Sequence, residues 1–382
     1  MQPAHVVGLG MVASLGTDVV TTCAAARAGL SRSAPVEHYL IRSEVEGDPE
    51  PVIAHQASLY TRGFEGEARL VRLAQGALTD LIARSAAVDW MSGGVRFYMA
   101  LPSAWRSYEG IDLIPDEEGQ RARSTKLAAL KEDPASAAQR SDPIRGTRIL
   151  RKAAVLAQWP TEVAVPTCFA GHAGGLEAVS AALSDLSTNA ARVAVVLGID
   201  SLLDEETLDW LNSCQRLKCD GTPTGCQPGE AAAAVALTLE TPTRPVPSVR
   251  AVSIAHEQRS LLAGGSGTGQ ALATTIAECA KAVPSETAWV VSDHNGEVYR
   301  ANDWGYAVVR LRSQFESFAE PVVWYPALSF GDTGAASALA GICVAVRAWE
   351  RNYAPATTAL IAAASEGSGR AALCLESARA QV

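Results

Sequence analysis

Two stretches of this chain repeat one pattern, and that repetition limits the folds open to it more than any other feature. Val163 to Leu183 reads V-A-V-P-T-C-F-A-G-H-A-G-G-L-E-A-V-S-A-A-L, and Trp324 to Trp349 reads W-Y-P-A-L-S-F-G-D-T-G-A-A-S-A-L-A-G-I-C-V-A-V-R-A-W. Each pattern predicts a buried strand, a glycine-containing bend and a helix of small residues. In the second, Leu339, Ile342, Val346 and Trp349 share one helical face. The closing segments echo each other too, A-A-V-A-L-T-L-E ending at Glu240 and G-R-A-A-L-C-L-E ending at Glu376. A duplicated α/β unit follows. The linker Thr241-Pro242-Thr243-Arg244-Pro245-Val246-Pro247 separates the copies, giving an N-terminal half at 1–243 and a C-terminal half at 244–382.

Within the first half, Leu70, Leu73, Ala74, Ala77 and Leu81 predict an amphipathic helix over Glu67 to Arg84, and Val95 to Leu101 a strand. Asp18 or Thr17 is suited to cap a helix that ends before Gly29. Charged residues crowd the stretch 102–159, which reads as an excursion from the core; its basic end, R-I-L-R-K from Arg148, suits an acidic partner or a solvated face. Gly8-x-Gly10-x-x-Ala13 fits a dinucleotide fingerprint formally, but no acidic residue follows in the ribose-binding window, so no cofactor is expected.

The chain has 382 residues, 48% of them hydrophobic, enough for a large core. Its net charge of −9 gives no support to binding nucleic acid or an anionic membrane. Neither a membrane-length apolar run nor a signal-peptide pattern is evident, so a cytoplasmic location is expected. Eight scattered cysteines without a C-x-x-C pair predict free thiols and no metal site.

Cys168 falls at the expected bend of the first repeat. A helix N-terminus there would favour its thiolate, although a cysteine is also a common small core residue. On such a helix His172 lies one turn on, as a base or as a packed histidine.

These segments resemble the thiolase-fold condensing enzymes, the β-ketoacyl synthases in particular. V-V-G-L-G-M-V-A-S-L-G-T-D at Val6 to Asp18, T-C-F-A-G-H-A-G-G-L-E-A at Thr167 to Ala178, V-V-L-G-I-D-S-L at Val195 to Leu202 and P-G-E-A-A-A-A-V-A-L at Pro228 to Leu237 match the family in order. The resemblance implies a five-layered α/β/α/β/α thiolase fold of two pseudo-equivalent halves, and a homodimer. It places Cys168 on the nucleophile, His294 of S-D-H-N-G-E-V on the first histidine, and Gly367 on a possible oxyanion-hole backbone donor.

Two positions depart from the family. Asp332 of S-F-G-D-T-G-A-A-S stands where the second histidine belongs, and Glu366 where an apolar gate is expected. A carboxylate cannot donate to a developing enolate. Like charges about 4 Å apart cost roughly 4 kcal/mol at an effective dielectric near 20, close to three powers of ten in rate. Asp332 also suits a helix cap.

A narrower resemblance, carried by S-D-H-N-G-E-V-Y-R-A-N-D-W-G and G-I-D-S-L-L-D-E-E-T-L-D-W-L, is to thiolase-like proteins found beside type VI secretion effectors. The expected function is a ketosynthase-like protein that has lost decarboxylative condensation and acts as an accessory, adaptor or binding protein. The alternative is an active acyltransferase with Cys168 as acyl carrier. The partners implied are an acyl carrier protein, acyl-CoA or a secretion effector.

Overall fold

A computed structural model describes residues 2–41, 49–85, 88–103, 111–131, 142–283 and 287–378. Strands β1 (Ala4–Ala13), β4 (Val95–Leu101), β5 (Thr167–Ala170), β6 (Val193–Ser201) and β7 (Glu230–Thr238) lie in the spatial order β1-β7-β6-β4-β5. The pairs β1/β7 and β7/β6 are antiparallel, and β6/β4 and β4/β5 are parallel. The second half repeats this order and these senses with β8 (Ser248–His256), β12 (Gly369–Glu376), β11 (Thr358–Ala364), β9 (Trp289–Ser292) and β10 (Val322–Trp324). Ala4 and His5 pair with Val249 and Ser248, joining the halves into one ten-stranded sheet.

Helices complete five layers. On the outside of the first half, α3 (Gly66–Arg84) and α5 (Asp142–Leu156) share an apolar cluster with β4, β6 and β7. Between the halves lie α6 (Gly174–Ser187) and α11 (Ser337–Glu350), whose Ala178, Val179, Leu339 and Ile342 belong to one core with β1 and β11. On the far side, α8 (Gln270–Ala282) and α9 (Val298–Arg312) cover β9, β11 and β12. Small residues make the middle layer possible: a Cβ on Gly175 would meet Ala338 and Leu339 at 3.3 and 3.4 Å, so α6 and α11 are in close contact there.

The α3 stripe is buried as its periodicity predicts, from Leu70 through Leu73, Ala74, Ala77 and Leu81. Asp18 caps α1 (Val19–Arg27) through the amides of Val20 and Thr21, and Gly29 follows in the left-handed region. The G-x-G pair has a packing role. A Cβ on Gly10 would overlap the Ala77 carbonyl and lie 2.6 Å from the Leu81 amide, so β1 can approach α3 only because this residue is glycine. Gly10→Ala is expected to cost about 1–3 kcal/mol through overpacking, read as a lower urea midpoint with an unchanged slope.

Of the stretch 102–159, residues 104–110 and 132–141 lie outside the described residues, and parts of the remainder pack on the core. Ile149, Leu150, Ala153 and Ala154 of α5 are buried in the cluster shared with α3, and Ile114 is buried as well. No described helix is long and apolar enough to cross a membrane.

Candidate functional site

The bend between β5 and α6 does not fall at Cys168. β5 continues to Ala170, Gly171 turns the chain at φ +74°, and α6 begins at Gly174. The Gly171 amide donates to Leu101 O (3.0 Å), and a Cβ there would lie 2.7 Å from Ser103 Oγ. Cys168 is therefore mid-strand, opposite Met99 in the register, and packs against the outer cluster of α3 and α5. A Cβ on Gly146 of α5 would overlap its Sγ. Phe169, the next residue, packs on the inner layer instead. The expectation of Cys168 at a helix N-terminus, with His172 on the same helical face, is thus corrected: Val163 to Pro166 form no strand, the strand runs instead from Thr167 to Ala170, and His172 lies in the turn.

The residue that this turn presents to the second half is His172, which is fully buried. Its Nε2 lies 2.8 Å from Asp332 Oδ1, and its Nδ1 lies 3.3 Å from Glu366 Oε2. Arg300 Nη2 is also 3.1 Å from Nε2. One nitrogen cannot donate to Asp332 and accept from Arg300 at once, and the shorter, charge-complementary contact to Asp332 is the hydrogen bond. Burial and Arg300 press the imidazole toward neutrality, but Asp332 and Glu366 outweigh them and raise its pKa to about 10. Burial alone would raise the Asp332 carboxyl, yet His172 and Arg300 hold it far below the usual carboxylate range. Glu366 is likewise held well down against burial by His172, Arg300 and Arg216.

The network extends through the loop after β9. Asn295 Nδ2 bridges Asp332 Oδ2 (2.6 Å) and Glu297 Oε2 (2.7 Å). Glu297 accepts from Arg216 Nε (2.5 Å) and Nη2 (2.9 Å). Arg300 Nη1 donates to Asp293 Oδ2 (3.1 Å) and to the Ala364 carbonyl. Asp332 Oδ1 also accepts from the Gly334 amide (2.8 Å). Asp293, Glu297, Asp332 and Glu366 thus face Arg216, Arg300 and the His172 imidazolium, all buried or nearly so.

His294 takes no part in the hydrogen bonds just described. Its ring stands edge-on to Tyr325 with centroids 5.6 Å apart, Nδ1 has no hydrogen-bond partner among the described residues, and burial followed by the Arg300 charge lowers its pKa, leaving it neutral. Gly367 gives its carbonyl to Arg370 Nη1 (2.9 Å). Of the residues singled out from the sequence, the structure brings together His172, Asp332 and Glu366, and places Cys168 on the opposite face of β5. Arg216, Asn295, Glu297 and Arg300 were missed. Asp332 and Glu366 are buried and so require cations, but no local sequence pattern says which arginines turn inward.

Cys226, Glu297 and Asp332 offer a sulfur and two carboxylate oxygens within 4.8 Å of one another. These residues do not fit a metal as arranged. The Asn295 amide bridges both carboxylates, Arg216 neutralises Glu297, and burial raises the Cys226 thiol well above its ordinary pKa. The cavity bordering Asp293, Gly331 and Thr333 measures about 10 Å³, room for roughly one water.

No family model matches the sequence, and no curated protein matches it. Solved structures do. An oxazolomycin ketosynthase domain of Streptomyces albus superimposes with a TM-score of 0.67 at 14% identity over 100% of this chain and 75% of that one. The ishigamide ketosynthase/chain length factor gives 0.66 at 17% identity, covering 99% of this chain and 100% of that one. A type II PKS ketosynthase in complex with its acyl-carrier protein gives 0.70 at 13%, with 99% and 100% covered. This chain therefore has the thiolase fold of the ketosynthases.

Proposed function

We propose that this protein is a ketosynthase-like scaffold that no longer carries out decarboxylative condensation and serves as an accessory or adaptor protein. The observation that carries the reading is the His172–Asp332–Glu366 cluster, which fills the meeting point of the two halves with fixed charge. Condensation needs a thiolate and neutral donors around a forming enolate. Here the imidazole is a cation already paired with carboxylates, the neighbouring cavity holds no acyl chain, and Cys168 points into the outer layer. The resemblance to proteins encoded beside type VI secretion effectors supports an effector as partner. The same resemblances support a homodimer, and the carrier-protein complex among the structural neighbours keeps an acyl carrier protein as a second candidate partner.

Intact-mass measurement after incubation with acyl-CoA and malonyl-CoA is the test. No adduct and no carbon dioxide release are expected. An acyl adduct that disappears in Cys168→Ala would establish the acyltransferase instead.

A further inference from the structure

Two histidines are fully buried, and only His172 belongs to the charged cluster. The other, His55, follows β3 (Glu50–Ala54), which pairs with β2 (Ala34–Ile41) in a hairpin apart from the main sheet. Its backbone clips that hairpin to the centre of the molecule. The His55 amide donates to Pro228 O (2.8 Å), the Glu230 amide to His55 O (3.3 Å), the Gly229 amide to Asp332 O (2.9 Å) and the Asp332 amide to Gln227 O (2.8 Å). One short ladder thus runs from His55 through residues 227–230 to the turn that carries Asp332. The ring lies behind that turn, because a Cβ on Gly331 would be 2.8 Å from His55 Cδ2.

Nothing around the ring suits a cation. The polar groups beside it are the Gln227 side chain and the Ser329 backbone of α10 (Ala327–Phe330), and neither ring nitrogen is in hydrogen-bonding geometry with a partner among the described residues. Both neighbours would favour a proton, but burial outweighs them and lowers the pKa from 6.5. No charged group among the described residues contributes to that shift. The carboxylates on the packed segments are engaged elsewhere, Glu230 with Arg69, Thr61 and Ser201, and Asp332 with His172 and Asn295.

We propose that His55 is an acid-operated latch: on protonation its ring leaves its place behind Gly331, the ladder from His55 to Asp332 opens, and the His172–Asp332–Glu366 centre becomes accessible to solvent. An imidazolium held behind Gly331 would be a buried charge without a counter-ion, whereas outside it is hydrated. A histidine that is neutral when folded takes its proton on opening, so each pH unit below 6.5 multiplies the opening constant by up to about ten until the folded-state value is reached. The central charges are constant over this window. His172, raised to about 10, is protonated at both about pH 7.5 and about pH 5, and Asp332 and Glu366, held below 3.8 and 4.5, stay ionised. His294, also lowered by burial, is the competing group. The latch does not depend on the adaptor reading, which is decided at Cys168.

The test is hydrogen exchange of the full chain read by mass spectrometry at about pH 7.5 and about pH 5, corrected for the intrinsic pH dependence of exchange. Residues 227–230 and 331–334 are expected to open about tenfold more at the acid pH, while β6 keeps its protection. His55→Phe retains a ring of similar volume that binds no proton, and it should lose the acid effect. His55→Gln, a second side chain that does not titrate, should lose it too, and His294→Asn should retain it. An acid effect that persists in either folded His55 variant would overturn the proposal, as would one that disappears in His294→Asn. So would acid opening spread evenly through the ten-stranded sheet, or none at all in the wild type.

Discussion

Arg300→Met is expected to destabilise the protein by about 3–5 kcal/mol, the usual cost of removing one partner from a buried ion pair. Methionine keeps much of the side chain's length and removes the charge. Asp293 and Glu366 then lose a guanidinium within 3.1 and 3.6 Å, and the Ala364 carbonyl loses a donor. None of these groups can turn to water, because all are buried or nearly so. Urea unfolding followed by circular dichroism reads the loss. Adding Glu366→Gln should give back part of it, since the double variant buries one fewer unpaired charge, and the coupling in that cycle is the measure of the pair. A loss under about 1 kcal/mol in Arg300→Met would mean that the carboxylates are not held by this arginine.

The same residues show what could be read without coordinates. The architecture was legible because it rests on apolar periodicity: the α3 stripe from Leu70 to Leu81 took the form its pattern predicts, and each twin stretch ends in the predicted small-residue helix, although the strands stand at Thr167–Ala170 and Val322–Trp324 rather than where the patterns set them. Asp332 and Glu366 were legible as departures, each a charge where the resembling family has none. The turn was not. Three glycines, Gly171, Gly174 and Gly175, follow Cys168, and only the backbone shows that Gly171 is the one with positive φ. An error of a few residues there exchanged the cysteine for the histidine at the centre of the molecule. The arginines were hidden for a different reason: a buried cation is specified by the acids it meets across the fold, and Arg216 and Glu297 are far apart in sequence while joined at 2.5 Å.

His172 makes stability fall on the alkaline side. Its pKa rises from 6.5 to about 10 on folding, so its contribution is complete below pH 6.5 and is lost as pH climbs toward 10. Asp332 and Glu366 move the other way, below their ordinary 3.8 and 4.5, so their contribution is present above those values and is lost as pH falls through and below them. The cluster therefore supports the fold most fully between about pH 5 and pH 6.5. From pH 6 to pH 10 the loss assigned to His172 is on the order of 4–5 kcal/mol, at about 1.4 kcal/mol per unit. His172→Gln should lower stability at pH 6, because two carboxylates lose their imidazolium, and should flatten the decline between pH 7 and pH 10. Urea midpoints measured across that range decide it. An alkaline decline equally steep in wild type and His172→Gln would assign the titration to another group and leave the central imidazole neutral. With a neutral imidazole, the Arg300 contact at Nε2 would become the hydrogen bond, and the carboxylate of Asp332 would depend on Asn295 and the Gly334 amide.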